Sequence, residues 1–286
     1  MNDHSLKKRF AGRTLLIATK HQKEKAIAPL LENTLGVRCI TNPDFDTDQF
    51  GTFSGEIERI DDPLTTLRNK CMAAAIATTA DLVVGSEGSF GPHPLIGMVP
   101  ANEEWLMFLD QRDKLEIVVR ELRMQTNFGG SIVKDEAALL EFAQRAQFPE
   151  HGLILRPHQN SKENIHKGIT DPTQLIQTFQ ALIVQQGQAY VETDMRALFN
   201  PTRMEGIRLL TEKLIRVLQS HCPSCQTPGY DVVEAIGGLP CSYCGLKTRS
   251  TLQHRYRCRQ CKYEELKNFP NGKQREDPMY CDFCNP

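Results

Sequence analysis

Eight of the ten cysteines fall in the last quarter of the chain as four Cys-x-x-Cys pairs: Cys222 and Cys225, Cys241 and Cys244, Cys258 and Cys261, Cys281 and Cys284. Two intervening residues let both sulfurs and the backbone between them wrap one face of a tetrahedral ion, and two such knuckles complete a shell. The expected chemistry is structural: two zinc ions, each held by four thiolates. Redox-active pairs come singly and at a helix start, which does not fit a fourfold repeat. Iron in the same four-thiolate geometry is the alternative metal. The gaps between pairs are 15, 13 and 19 residues, room for a short β-hairpin in each, as in zinc ribbons. Spacing leaves the pairing open between a sequential, an interleaved and a nested arrangement.

Lys247, Arg249, Arg255, Arg257, Arg259 and Lys262 interleave with Tyr243, Tyr256 and Tyr263, a composition suited to nucleic acid. Charge weighs against that partner. From Cys222 onward nine Lys or Arg oppose seven Asp or Glu, and a zinc ion with four thiolates is a dianion. The module is slightly acidic once loaded, so it reads first as structural and only second as a nucleic-acid reader.

Upstream, polar residues cluster at the ends of strand-like runs, where open α/β sheets place their ligands. The segment Ala18 to Glu24 offers Thr19, His21 and Lys23 in a strand-to-helix turn whose amides and lysines suit a phosphate; a solvated helix start is the plain alternative. Asp44, Asp46, Asp48, Glu56 and Glu58 supply hard oxygen ligands of the kind Mg²⁺ takes, or simply an acidic surface loop. Gly85 to His93 sets Ser86, Glu87 and Ser89 among glycines, directly after a buried strand. Glu192, Asp194, Arg196 and Arg203 stand at a further strand end, as metal ligands and phosphate clamps or as internal salt bridges. Cys39 and Cys71 lie on apolar faces and read as core.

The elements that position these residues alternate. TLLIAT (14–19) reads as a buried strand, Ile27, Leu30, Leu31 and Leu35 recur at helical spacing before Gly36, and VRCIT follows as a second strand. Asp62-Pro63 opens a helix carrying Leu67, Cys71, Ala74 and Ala75 inward. DLVVGS, then WLMFLD and LEIVVR as a hairpin, extend the sheet. A helix over 136–147, a strand GLILRP, a helix from Asp171-Pro172, a strand AYVET and a helix from Asn200-Pro201 continue the rhythm. The expected fold is α/β, a mixed sheet flanked by helices over residues 1–220, followed by a β-rich double zinc-ribbon module over 221–286.

The order Ala-Thr-turn-Lys, acidic loop, Arg68-Asn69-Lys70 on a helix, then Ala80-Asp81-Leu82-Val83-Val84-Gly85-Ser86-Glu87-Gly88, resembles the inosine/xanthosine triphosphatase family over residues 13–125. That resemblance implies a triphosphatase-like fold and Mg²⁺-dependent hydrolysis of nucleotides. It implies Thr19, His21 and Lys23 at the phosphates, Glu87 with Glu56 or Glu58 at the metal, and Arg68 and Lys70 in support. Lys23, Glu56, Glu58, Arg68, Lys70 and Glu87 with Asp194 and Arg196 form the expected catalytic set, and Thr19, His21, Ser86 and Ser89 the ligand-binding set. The whole chain, through GTFSGEIER, GSEGSFGPHP, ETDMRALFNPTRM and YCDFCNP, also resembles an uncharacterised bacterial domain family, which implies no activity.

Composition bounds the rest. A chain of 286 residues with 40% hydrophobic and 24% charged residues is long enough for two cores and too apolar for wholesale disorder. A formal net charge of −1 supplies no global field toward nucleic acid or membranes. No apolar run approaches the roughly 18 residues a bilayer requires, and MNDHSLKKRF lacks a secretory core, so a cytoplasmic protein without a membrane partner is expected. The expected partner is a nucleotide or another phosphorylated small molecule; a non-catalytic sensor built on the same cleft, with ribbons that dock nucleic acid or protein, is the competing reading.

Overall fold

A computed structural model describes residues 2–46 and 61–286. Asp48, Glu56 and Glu58 lie outside the described residues. Contacts divide the chain into two units, residues 7–214, and residues 215–286 together with 1–6. The division falls within helix α1 (Asn2–Phe10) and within helix α6 (Pro201–Gln219).

The first unit is α/β, as expected. Strand β1 (Thr14–Ala18), helix α2 (Glu24–Leu35) and strand β2 (Arg38–Ile40) form a parallel β-α-β unit. Helix α3 (Pro63–Thr78) returns the chain to β3 (Leu82–Pro92), parallel to β1, and β4 (Pro100–Asp110) and β5 (Leu115–Arg123) add an antiparallel meander. The sheet order is β2-β1-β3-β4-β5. Asp62 starts α3 by accepting from the amides of Leu64 and Thr65, with Pro63 in the first turn where a missing N–H costs nothing. Leu67, Cys71 and Ala74 of α3 pack on Leu16, Ala18, Val83 and Met107. Burial pushes the thiols of Cys39 and Cys71 up to about 12, so both stay protonated and act as apolar filling.

The polar segment expected to follow the buried strand is part of it. Gly85 to Pro92 continues β3, paired residue for residue with β4, including Ser86 with Leu106 and Glu87 with Trp105. Strand β1 stops opposite Gly85, so from Ser86 onward β3 has β4 on one side and, among the described residues, no strand on the other. The polar residues of this segment therefore stand on a rigid strand that projects past its neighbour.

The β/α rhythm after β5 builds a second sheet, which sequence periodicity did not separate from the first. Strands β6 (Gly130–Val133), β7 (Leu153–Arg156), β8 (His166–Ile169) and β9 (Ala189–Thr193) are antiparallel in the order β6-β9-β7-β8. Helices α4 (Glu136–Arg145) and α5 (Pro172–Gln186) share one core with it, through Leu139 and Phe142, and through Leu175, Phe179 and Leu182. Both helices begin at an aspartate that accepts from the third amide beyond it, Asp135 from Ala138 and Asp171 from Gln174.

In the second unit β10 (Asp231–Gly237), β11 (Thr251–Arg257) and β12 (Glu264–Asn268) form a three-stranded antiparallel sheet. Each gap between cysteine pairs holds one strand, not the expected hairpin. Among the described residues no helix is long and apolar enough to cross a membrane.

Candidate metal centres and a buried lysine cluster

One strand per gap decides which cysteines meet. A chain that crosses the sheet once between successive knuckles delivers them to opposite ends in turn, so the first meets the third and the second meets the fourth. The structure groups Cys222, Cys225, Cys258 and Cys261 as one set and Cys241, Cys244, Cys281 and Cys284 as the other. Of the arrangements left open by spacing, the interleaved one is adopted. Seven-residue strands at roughly 3.3 Å per residue set the two ends on the order of 20 Å apart.

The donor geometry fits zinc. A tetrahedral shell with Zn–S bonds of about 2.3 Å places its sulfurs about 3.8 Å apart. The Sγ separations are 3.6 Å for Cys222–Cys261 and Cys225–Cys258, 3.9 Å for Cys241–Cys284 and 3.7 Å for Cys244–Cys281. Every knuckle repeats one backbone device: the residue after its second cysteine donates to the carbonyl of its first, at 2.9 Å from Gln226, 3.1 Å from Gly245, 3.1 Å from Lys262 and 2.8 Å from Asn285. Gln226, Gly245 and Lys262 take left-handed φ values of 61°, 75° and 65°, which turn the chain back to its strand. Each set thus supplies four thiolate donors to one ion, and the two groups could hold two zinc ions.

The cations between the knuckles largely face carboxylates. Arg255 and Arg257 of β11 stand directly opposite Glu234 of β10 and Glu264 of β12, with ion pairs of 3.1 and 3.2 Å. Tyr256 packs against Tyr230, ring centroids 5.6 Å apart, beneath the Lys267 ammonium at 4.6 Å. Tyr243 and Phe283, each next to a cysteine of the second set, are 84% and 72% exposed.

In the α/β unit, three residues expected to share a site do meet. Lys23, at the start of α2, reaches Ser86 Oγ at 3.0 Å. Lys70 of α3 donates to the Ser86 carbonyl at 3.1 Å and to the Glu87 carboxylate. Side chains alternate along β3, so Ser86 and Gly88 share a face with Glu104 of β4, while Glu87 faces α3. The two lysines thus grip one strand from opposite faces, just past the end of β1.

Two further residues close this cluster. Arg203, in the first turn of α6, is 1% exposed; its Nε bonds Glu104 Oε1 at 2.5 Å, its Nη1 bonds the Met195 carbonyl at 2.5 Å, and its guanidinium lies 5.0 Å from the Phe90 ring. A Cβ on residue 88 would stand 2.5 Å from Arg203 Nη2 and 2.7 Å from Glu104 Oε1, so Gly88 is glycine because this ion pair lies against its Cα. Glu104 was missed from sequence. The available sign was a carboxylate in register with Leu106 and Phe108, all three on the buried face of one strand.

Burial, then the Arg203 and Lys70 cations, depress the Lys23 ammonium from its ordinary value to about 7, against the opposing pull of Glu104 and Glu87. Lys70 is tied to Glu87 and Arg203 to Glu104, whereas Lys23 has, among the described residues, only the Ser86 hydroxyl within hydrogen-bond reach.

Other expected site residues are engaged elsewhere. Arg68 forms a bidentate pair with Glu116 of β5, at 2.9 and 2.8 Å, and does not join Lys70. Asp194, fully buried, accepts from the Gly168 amide at 3.0 Å and from its near neighbour Arg196, whose guanidinium stacks 4.5 Å from the Phe199 ring. Glu192 pairs with Arg156. These are the internal salt bridges weighed as the plain alternative. Thr19 bonds the Lys20 carbonyl at 2.8 Å, His21 and Gln22 take left-handed φ values of 65° and 60° in the turn before Lys23, and Ser89 stands opposite Glu103 in the β3–β4 ladder. Lys20 pairs with Asp46 at 2.5 Å. Among the described residues no three His, Cys, Asp or Glu converge apart from the two cysteine sets. Magnesium therefore finds no support among the described residues.

Fold and sites define a two-unit protein, an α/β unit with a buried charged cluster and a β unit clamped at both ends by four cysteines. A family model described as Domain of unknown function (DUF6671) matches residues 70–286, and the chain belongs to that family. No curated protein matches the chain. The matched span runs from Lys70 through both cysteine sets, begins after Lys23, and lends no support to the triphosphatase resemblance of residues 13–125.

Proposed function

We propose that the α/β unit is a phosphohydrolase acting on the phosphoanhydride of a nucleotide, and that the cysteine unit is structural, its ions closed off by four thiolates with no open position for a substrate. The observation that carries the first half is the convergence of Lys23, Lys70 and Glu87 on Ser86, at the carboxyl end of β1. The triphosphatase resemblance assigns Lys23 to the phosphates, Glu87 to the metal and Lys70 to their support, and the three come from segments 47 and 17 positions apart in the chain. Lys70 on one face of β3 and Arg203 on the other offer donors and positive charge to phosphoryl oxygens, which is most of what phosphoryl transfer asks of a protein. Glu87, held by Lys70, orients groups in the same space. Glu87 and Glu104, each held by a cation, fall short of a metal shell, so no step is derived through magnesium.

The test is release of phosphate or pyrophosphate by the full chain from a panel of standard and deaminated nucleoside triphosphates, assayed with Mg²⁺. Turnover is expected, with Glu87→Gln lowering it on the order of 100-fold or more while metal content stays unchanged and Tm shows the variant still folded at the assay temperature. A folded, metal-loaded protein that releases nothing from the whole panel overturns this reading.

A further inference from the structure

The cluster contains three cations and two carboxylates, and the pairing is uneven. Lys70 holds Glu87, and Arg203 holds Glu104. The fifth charge, Lys23, is 6% exposed and is left facing a hydroxyl, Ser86 Oγ at 3.0 Å, itself on a residue 2% exposed. A buried lysine beside a hydroxyl, with competing cations from α3 and α6, is the environment in which an amine gives up its proton and can receive one from its neighbour.

We propose that Ser86 and Lys23 form a nucleophile–base dyad, in which neutral Lys23 deprotonates the Ser86 hydroxyl for attack on a phosphoryl group. This rests on the phosphohydrolase reading of the same site and deepens it to covalent catalysis. In the first step Ser86 Oγ bonds to phosphorus and its proton passes to Lys23 Nζ. The bond from phosphorus to the leaving oxygen breaks with its electron pair on that oxygen, which takes the proton from Lys23. Water then attacks the phosphoserine and gives its proton to Lys23, the bond from phosphorus to Oγ breaks, and Ser86 recovers the proton. No oxidant or further reactant is consumed.

Three features support the roles. The strand carrying Ser86 is rigid, paired to β4 on both sides of it in sequence. Lys23 is fixed at the start of α2, its carbonyl accepting from the amides of Ala26 and Ile27 at 3.0 and 3.2 Å. The groups facing its ammonium are Arg203 of α6, Lys70 of α3, Glu104 of β4 and Glu87 of β3, which with burial bring Lys23 down to about 7, the range that suits a general base. Lys70 and Arg203 bring N–H donors of the kind that meet phosphoryl oxygens.

A fluorophosphonate probe, which phosphonylates activated serines whatever the natural substrate, tests the dyad on the full chain. Labelling is expected at Ser86, located by peptide mass spectrometry, rising as pH passes through about 7. Ser86→Ala should abolish it, and Lys23→Arg, which keeps the charge but cannot serve as a base, should slow it by about 100-fold, with Tm and metal content as fold controls. Labelling at Ser86 without turnover of any nucleotide would uphold the dyad and overturn the substrate class. Nucleotide turnover that survives Ser86→Ala would overturn the dyad and leave the phosphohydrolase reading standing. A folded protein that takes no label at Ser86, or takes it equally well as Lys23→Arg, overturns the dyad as well.

Discussion

The two polar constellations of this molecule are built on opposite plans. In the cysteine unit each ligand pair is local, two residues apart on a turn stabilised by its own backbone hydrogen bond, and the fold only has to bring two finished knuckles together. In the α/β unit no two members of the cluster except Ser86 and Glu87 are neighbours in the chain: Lys23, Lys70, Glu104 and Arg203 come from four separate elements. The first plan would draw stability from metal–thiolate bonds once loaded, so its strands need little core; β12 has a mostly exposed burial pattern. The second holds desolvated charges against one another, and charges that are not in register with an opposite partner are penalised.

The contrast breaks most sharply on the metal. Cys222→Ser with Cys258→Ser should leave about one metal equivalent per chain, because both belong to one interleaved set, whereas Cys222→Ser with Cys241→Ser should leave close to none. Elemental analysis separates these outcomes, and equal loss in both would refute the interleaved pairing. Stripping all metal should unfold residues 215–286 to proteolysis while residues 7–214 keep their cooperative transition.

Next in size is the buried pair in the α/β unit. Arg203→Met strands the Glu104 carboxylate and should cost about 3–5 kcal/mol, while adding Glu104→Leu should recover part of that, since removing both charges removes the penalty. Urea unfolding measures both, and a double variant no more stable than Arg203→Met would mean that the pair is not desolvated. Gly88→Ala drives a methyl against the same pair at 2.5 Å and should cost about 1–3 kcal/mol.

The smaller effect concerns Lys23 and has a sign set by pH. Its folded value is depressed from 10.5 to about 7, so the unfolded chain binds the extra proton between those limits and stability rises with pH across them. The burial penalty is therefore fully present below about pH 7 and fades toward 10.5. Lys23→Met should stabilise by about 1–3 kcal/mol at pH 6 and by progressively less above pH 7. Thermal unfolding across that range would show it, and a variant whose advantage grows with pH would contradict the burial of the ammonium.

Much was legible from residue type and spacing alone: the four knuckles, helices α3 and α5 opened by Asp-Pro, helix α4, the β-α-β opening, and the lysine and glutamate that meet at Ser86. These rest on short-range physics, since chelation by a Cys-x-x-Cys turn and the capping of free amides by Asp62 or Asp171 involve a few consecutive residues. The structure alone decided the interleaved pairing, because spacing sets how far the chain travels between knuckles and not whether it travels as one strand or two. It alone separated the second sheet, whose strands β6 and β8 are four residues each and too short for a period to register. It also moved Arg68, Asp194 and Arg196 into salt bridges of their own, brought in Glu104 and set Arg203 against it. Which cation finds which carboxylate depends on strand register and helix orientation, and those are fixed only when the layers pack.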